Sequence, residues 1–209
     1  DLFFSLYLKL SKTEKDSFFL LNSLKDTENK FASASKYYYA HIAYLQKKYE
    51  SALQTFKTLE SDEKFSPIVP YYITQIYYLQ KKYDEVIKYA PSLLEKSIPK
   101  RSAEIARLLG ESYYNTNQFS KAIPYLKRYH KEKPYGASRS DKYQLGYAYY
   151  KIDSCDLAIK WLKKSIKEND SLSQAAHYNM AECYLKTNQK RYAQSSFRVA
   201  SSIDADPQI

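Results

Sequence analysis

The sequence predicts an all-α solenoid of paired antiparallel helices, and three observations predict it. The hexapeptide Tyr44-Leu45-Gln46-Lys47-Lys48-Tyr49 recurs letter for letter as Tyr78-Leu79-Gln80-Lys81-Lys82-Tyr83, 34 residues further on. A fixed period of that size marks a helical-repeat array. Compact residues also recur in two rows. Ser17, Ala52, Val86, Ala122, Ala158 and Ala193 follow one another at spacings of 35, 34, 36, 36 and 35. Twelve residues ahead of each stands Ser5, Ala40, Thr74, Gly110, Gly146 or Ala181. Small side chains at both points let two antiparallel helices approach closely, while larger residues fill the rest of the seam. Finally, three glycines and seven prolines in 209 residues are too few turn-formers for an all-β chain.

These anchors divide the single array 1–209 into a partial repeat, 1–30, and full repeats 33–66, 67–100, 103–136, 139–172 and 174–207. Each reads as helix A, a short turn and helix B. In repeat 67–100, helix A is expected from Pro70 to Tyr78 and helix B from Asp84 to Leu94. Pro91 should bend or interrupt that helix, because it lacks an N–H and crowds the preceding turn. Pro124 is expected in the first turn or so of its helix, where the missing donor does little harm. In repeat 139–172, helix A is expected from Arg139 to Tyr150 and helix B from Asp156 to Ile166. Leu157, Ile159, Leu162 and Ile166 recur there at helical spacing, with Lys160, Lys163, Lys164 and Lys167 on the other side. The A–B turns favour a residue that tolerates positive φ. Asn117, Asp153 and Asn188 suit that, whereas Lys47 and Lys81 at the same place suit it less well.

A net charge of +10, from 33 basic and 23 acidic side chains, permits contact with nucleic acid or an anionic membrane. It equally describes a soluble, lysine-rich surface. Cys155 and Cys183 are too few for a disulfide framework; they fall in adjacent repeats, either close together or as two separate buried thiols. No apolar run approaches the length of a transmembrane helix, and the opening residues read as the second half of a helix rather than a targeting segment. There is no glycine-rich phosphate loop, no Gly-x-Ser-x-Gly elbow and no Cys-x-x-Cys or His-x-x-x-His pair. His41, His130 and His177 lie in different repeats. No catalytic residue, cofactor or metal site is therefore expected, and the chain does not read as an enzyme.

The repeats resemble the tetratricopeptide repeat (TPR). The resemblance is carried by the small residues Ala40, Gly110, Gly146 and Ala181, by Ala52, Ala122, Ala158 and Ala193, and most closely by Leu145-Gly146…Tyr149…Ala158…Leu162. It covers essentially the whole chain and is weakest over 1–30. The stretches from Tyr37 to Lys57 and from Tyr71 to Tyr89 are similar to long multi-repeat proteins of gut and oral Gram-negative bacteria. The resemblance implies a right-handed superhelix of helix-turn-helix units and leans toward the periplasm or cell envelope. It is specific for fold and nearly silent on function. Solenoids need polar capping repeats, yet Leu2, Phe3, Phe4 and Leu6 open the chain and a helix B closes it. The chain is thus expected to be a fragment of a longer array, able to self-associate through uncapped ends.

The 24 tyrosines can be placed by geometry. At 100° per residue the packing stripe of helix A in repeat 139–172 is Leu145, Gly146 and Tyr149. Tyr143, Tyr147 and Tyr150 share a different face, roughly 120° away. The equivalent positions hold Tyr37, His41 and Tyr44; Tyr71, Gln75 and Tyr78; Arg107, Glu111 and Tyr114; Tyr178, Glu182 and Leu185. In the resembled family this face lines the concave surface, which implies an aromatic groove. Tyr44, Tyr78, Tyr114 and Tyr150 either line it or pack against the next repeat. The candidate partner-binding residues are Tyr37, His41, Tyr71, Gln75, Arg107, Glu111, Tyr143, Tyr147, Tyr178 and Glu182. Tyrosine gives broad apolar contact and one hydroxyl at little entropic cost, which suits a peptide. The Lys/Asn carboxylate clamp of some family members is not matched, since Tyr37, His41, Tyr71 and Gln75 occupy its places. The leading reading is a protein–protein interaction scaffold for a peptide or protein segment. The alternative is a nucleic-acid-binding helical-repeat protein using its basic surface and exposed rings, although tyrosine dominates the positions where RNA-reading repeats vary polar residues.

Overall fold

The computed structural model describes residues 32–94, 99–133 and 136–203. The partial repeat 1–30, with Ser5, Ser17 and its apolar opening residues, lies outside the described residues. Among these there are eleven helices and no strand. They are α1 (Ala32–Leu45), α2 (Tyr49–Lys57), α3 (Val69–Leu79), α4 (Tyr83–Tyr89), α5 (Pro91–Leu94), α6 (Pro99–Asn115), α7 (Phe119–Glu132), α8 (Arg139–Lys151), α9 (Cys155–Lys163), α10 (Ser171–Lys186) and α11 (Lys190–Ser202). The chain divides into two compact units, Asp1–Arg101 and Ser102–Ile209.

In the N-terminal unit α1 packs on α2, and α2 on α3. The compact pairs Ala40 with Ala52 and Thr74 with Val86 are fully buried. The Thr74 hydroxyl donates to the Pro70 carbonyl at 2.8 Å, so this buried polar group is satisfied within its own helix. Phe56, Leu59, Val69, Ile73 and Ile76 fill the seam. Pro91 interrupts helix B as expected: α4 stops at Tyr89 and the short α5 begins at the proline.

In the C-terminal unit α6 crosses α7 at Gly110 and α8 crosses α9 at Gly146. A Cβ on Gly146 would lie 2.8 Å from Leu162 Cγ and 2.9 Å from the Leu162 backbone nitrogen. On Gly110 it would lie 2.9 Å from Leu126 Cδ2 and 3.0 Å from the Leu126 nitrogen. Both glycines exist for close approach of two backbones. Helix α8 opens on a capping box, in which Ser138 Oγ accepts from Asp141 N at 3.1 Å and Asp141 Oδ2 accepts from Ser138 N at 2.6 Å. Helix α9 ends at Lys163, short of the expected Ile166. Lys164 and Ser165 tighten the chain with i→i+3 bonds to Trp161 and Leu162, and the Ser165 hydroxyl donates to the Leu162 carbonyl at 2.7 Å. Pro124 sits inside α7, a turn deeper than the sequence suggested, and the helix runs through it. Arg139 ties α8 to the segment that leads into α10: it forks onto Asp170 at 2.7 and 3.0 Å and donates to the Ser165 carbonyl at 2.7 Å. Cys155 and Cys183 are buried free thiols of one core cluster, and burial, with Cys155 second, pushes the Cys183 thiol up.

Among the described residues, the five A–B turns take the same left-handed step, at Lys47, Lys81, Asn117, Asp153 and Asn188, with φ of 60, 57, 57, 58 and 59°. The two lysines therefore adopt a conformation their side chains disfavour. Its compensation lies in the backbone. The next N–H reaches the carbonyl five residues back in every case, from Lys48 to Ala43 (2.8 Å), Lys82 to Tyr77 (2.9 Å), Gln118 to Tyr113 (2.8 Å), Ser154 to Tyr149 (3.0 Å) and Gln189 to Tyr184 (2.7 Å). This is the Schellman closure of a helix C-terminus.

Candidate functional site

In the N-terminal unit the helical spacing of Tyr37, His41 and Tyr44 puts them one above another on α1. His41 lies parallel to Tyr37, with centroids 6.1 Å apart, and near-parallel to Tyr44 at 6.4 Å. From α3, Tyr72 stands edge-on to His41 at 5.4 Å and to Tyr44 at 5.6 Å, and stacks on the buried Phe56 at 5.1 Å. A polar thread crosses the same face: the Tyr44 hydroxyl donates to Gln75 Oε1 at 2.9 Å, and Gln75 Nε2 donates to the Tyr71 hydroxyl at 2.8 Å. The Arg101 guanidinium sits 4.2 Å from the Tyr71 ring centroid and 5.3 Å from that of Tyr72, in cation–π range. Burial, and secondarily the Arg101 charge, hold the His41 imidazole below its ordinary pKa. Burial and a hydrogen bond to Tyr72 push the Tyr37 phenol up. Tyr37 also stacks on Phe65 at 4.7 Å, so its ring braces the cluster.

In the C-terminal unit Tyr143 and Tyr147 stack at 5.9 Å. Tyr147 also meets Tyr114 and Phe119 at 5.8 Å each and Tyr150 at 5.7 Å. Lys151 Nζ lies 5.8 Å from the Tyr147 centroid, and Lys186 Nζ lies 4.9 Å from that of Tyr150. The two stacked rings are both half-buried and differ in what they touch. Tyr143 packs against the core of Leu145, Leu162 and Met180, and its hydroxyl accepts from Asn179 Nδ2 at 3.0 Å. Burial pushes its phenol up to about 12. Tyr147 is half-buried and surrounded by other rings.

Of the residues expected on one helix-A face, Tyr37, His41, Tyr71 and Gln75 come together in the first cluster, and Tyr143 and Tyr147 in the second. Glu182 lies close enough to Tyr150 to raise its phenol pKa, after burial. Arg107 and Glu111 differ from the expectation of a shared open surface. Glu111 is only 4% exposed and accepts from Arg107 at 2.8 Å, while Arg107 also holds Glu104 at 3.2 Å. They form an internal ion pair because a buried carboxylate requires a partner. Tyr178 is 37% exposed and meets Phe197 edge-on at 5.6 Å rather than joining the Tyr143–Tyr147 stack. Tyr44, Tyr114 and Tyr150 each reach a side chain of the next repeat, namely Tyr72, Tyr147 and Lys186, and Tyr78 meets Tyr83 of its own.

Sequence reasoning missed Tyr72, Phe119, Arg101, Lys151 and Lys186. Tyr72 falls one residue off the chosen phase, and its ring bridges two helices. Arg101 was missed because α6 begins at Pro99, ahead of the repeat start at 103. The signal available was that proline, which favours the first position of a helix. Among the described residues no group of three or more His, Cys, Asp or Glu could hold a metal ion, and no helix is long and apolar enough to cross a membrane.

The elements define a class: an array of antiparallel helical hairpins with a fixed period, small-residue crossings and left-handed inter-helix turns. The fold is that of tetratricopeptide-repeat proteins. YrrB, a TPR protein described as having an unusual peptide-binding site, superposes with a TM-score of 0.74 over 90% of this chain and 94% of its own, at 17% identity. MamA AMB-1 superposes with a TM-score of 0.70 over 86% of this chain and 97% of its own, at 17% identity. MamA from Desulfovibrio magneticus RS-1 gives 0.64 over 82% and 94%, at 16% identity. No protein-family model and no curated protein matches the chain by sequence.

Proposed function

We propose that the protein is an interaction scaffold that takes up a segment of a partner protein on the tyrosine-rich faces of its A helices. The observation that carries this is the half-buried state of rings that neighbour hydrogen-bonding groups: Tyr71 with Gln75 and Arg101 in one cluster, Tyr147 with Lys151 in the other. Such rings offer apolar area and a hydroxyl while already held in place, so little entropy remains to be lost on binding. The likeness to YrrB, whose fold carries a peptide-binding site, supports the reading. Within the candidate set, Tyr71, Gln75, His41, Tyr147, Tyr178 and Glu182 are the contact residues. Tyr37 and Tyr143 hold rings in place, and Arg107 and Glu111 stiffen their own helix, α6.

The test is a selection of random displayed peptides on the protein, followed by calorimetry with the best binder. Tyr71→Ala and Tyr147→Ala should each weaken peptide affinity, by roughly 1–4 kcal/mol where the ring is an anchor, with helical content retained. If the folded fraction of both variants binds the peptide as the parent protein does, the aromatic faces are structural and the proposal fails. Tight, sequence-selective RNA binding at physiological salt would favour the nucleic-acid reading instead. Purely electrostatic binding would fall steeply between about 50 and 200 mM salt without sequence preference.

A further inference from the structure

Arg101 differs in its partners from Arg107, Arg128 and Arg139. Arg107, Arg128 and Arg139 each pair with a carboxylate at 2.7–3.2 Å. The guanidinium of Arg101 lies over two tyrosine rings, and no carboxylate among the described residues pairs with it. The acid one turn along the same helix is already committed: Glu104 accepts from Arg107 at 3.2 Å and from Lys133 at 2.5 Å. A guanidinium laid on a ring is held by the ring's quadrupole, which engages its face and leaves the edge N–H donors available. Half-burial against Tyr71 and Tyr72 lowers the local dielectric and strengthens whatever those donors bind. Burial, and secondarily Arg101 itself, hold the His41 imidazole below its ordinary pKa, and Gln75 is engaged between Tyr44 and Tyr71.

We infer that Arg101, seated on Tyr71 and Tyr72, is a carboxylate-accepting position within the interaction face, and that the partner segment places an Asp or Glu side chain there. This rests on the interaction reading and adds the charge of the partner. The match is specific. A carboxylate receives two parallel N–H bonds from the guanidinium edge, while the flanking part of the segment lies beside the ring pair that seats Arg101. Neither Lys nor a neutral residue in the partner would be accepted equally, since a cation meets Arg101 and an amide forms only neutral bonds. The chain's excess of basic over acidic residues, +10 overall, acts in the same direction at longer range.

The experiment uses the full chain and the peptides selected on it. Selected sequences should carry Asp or Glu at a fixed distance from an apolar residue. Replacing that acid by Asn or Gln in a synthetic peptide should weaken binding about tenfold, as expected for loss of a charge-assisted pair. The same replacement should have little effect on Arg101→Gln protein, whereas Arg101→Lys should retain part of the preference. Three results overturn the inference. Peptides whose affinity survives both the acid replacement and Arg101→Gln, while Tyr71→Ala still abolishes it, would remove the carboxylate position and leave the scaffold reading standing. An acid preference unchanged in Arg101→Gln would assign the charge to another cation. Failure of any peptide to bind would remove both proposals. If Arg101→Gln is poorly folded, the acid replacement on the unaltered protein, measured at low and high salt, still decides whether a carboxylate is recognised.

Discussion

Gly146 tests the packing logic of the array. Gly146→Ala adds one methyl at the α8–α9 crossing, where it would meet Leu162 Cγ at 2.8 Å and the Leu162 backbone nitrogen at 2.9 Å. Ordinary carbon contacts lie near ~3.5–4 Å, and the nitrogen belongs to a helix rather than to a flexible side-chain end. Overpacking of this kind costs about 1–3 kcal/mol. Replacing a mid-helix glycine by alanine returns about 1 kcal/mol of helix propensity. The net expectation is a loss of about 1 kcal/mol. Leu162→Ala alone should cost about 2–5 kcal/mol, since that side chain is fully buried. In that background Gly146→Ala should cost less than it does alone, because the clash with the Leu162 side chain is gone and only the contact with the backbone nitrogen remains. The protein carries a version of this solution: sixteen residues separate Gly146 from Leu162, and the same offset from the fully buried Thr74 reaches the fully buried Ala90. The assay is urea unfolding of the parent, both single variants and the double variant, compared at constant m-value. A gain of the full propensity term by Gly146→Ala alone would show that the helices part freely, and the close-approach argument would fall.

At the A–B turns, Lys81→Asn and Lys47→Asn should each raise stability by about 0.5–1 kcal/mol, because asparagine tolerates the left-handed step better than lysine; thermal unfolding of both variants checks this, and no change in either would contradict it. His41, His130 and His177 are all held below the ordinary imidazole pKa by burial. The unfolded chain therefore takes up protons that the folded one refuses, so stability is full above about pH 6.5 and falls as pH drops from there toward the lowered folded values. His41→Gln should flatten part of that slope in unfolding midpoints taken between about pH 7 and pH 5. Cys155 and Cys183, buried with the Cys183 thiol pushed up, should react with a thiol reagent slowly in the native protein and promptly in denaturant; fast native labelling would place them in an opening segment.

Periodicity was the most legible property of the chain. The two rows of compact residues marked where helices A and B meet: Gly110 and Gly146 abut Leu126 and Leu162 there, and Ala52, Val86, Ala122, Ala158 and Ala193 are all buried. Helix ends were less legible. Ile166 looked like part of α9 because its spacing continued the apolar stripe, yet Ser165 bonds back to Leu162 and closes the helix first. Lys47 and Lys81 adopt the same turn as asparagine because the Schellman bond is made by backbone atoms that no side-chain preference reports. At the candidate faces, phase on a helical wheel placed Tyr37, His41, Tyr71, Gln75, Tyr143 and Tyr147 with their neighbours. It could not rank depth, so Glu111 and Tyr147 looked equivalent although one is buried in an ion pair and the other stands among rings. Nor could a wheel drawn for one helix find Arg101 over Tyr71, a contact made between two repeats.

The reciprocal sizes at the helix crossings also bear on how such an array can be duplicated and rearranged. Helix A carrying Gly146 fits a helix B that presents Leu162, and helix A carrying Gly110 fits one that presents Leu126. These two halves could be exchanged between their hairpins without conflict. Thr74 has Ala90 at the corresponding distance, and joining its helix to the Leu162 helix would drive a branched hydroxyl side chain into an occupied crossing. Recombination that cuts within a hairpin is thus restricted to partners of matching size, while cuts in the segments between hairpins carry each fitted pair along intact. On this packing the piece that can be moved without conflict is the whole hairpin, and insertion or loss of repeats should respect its borders.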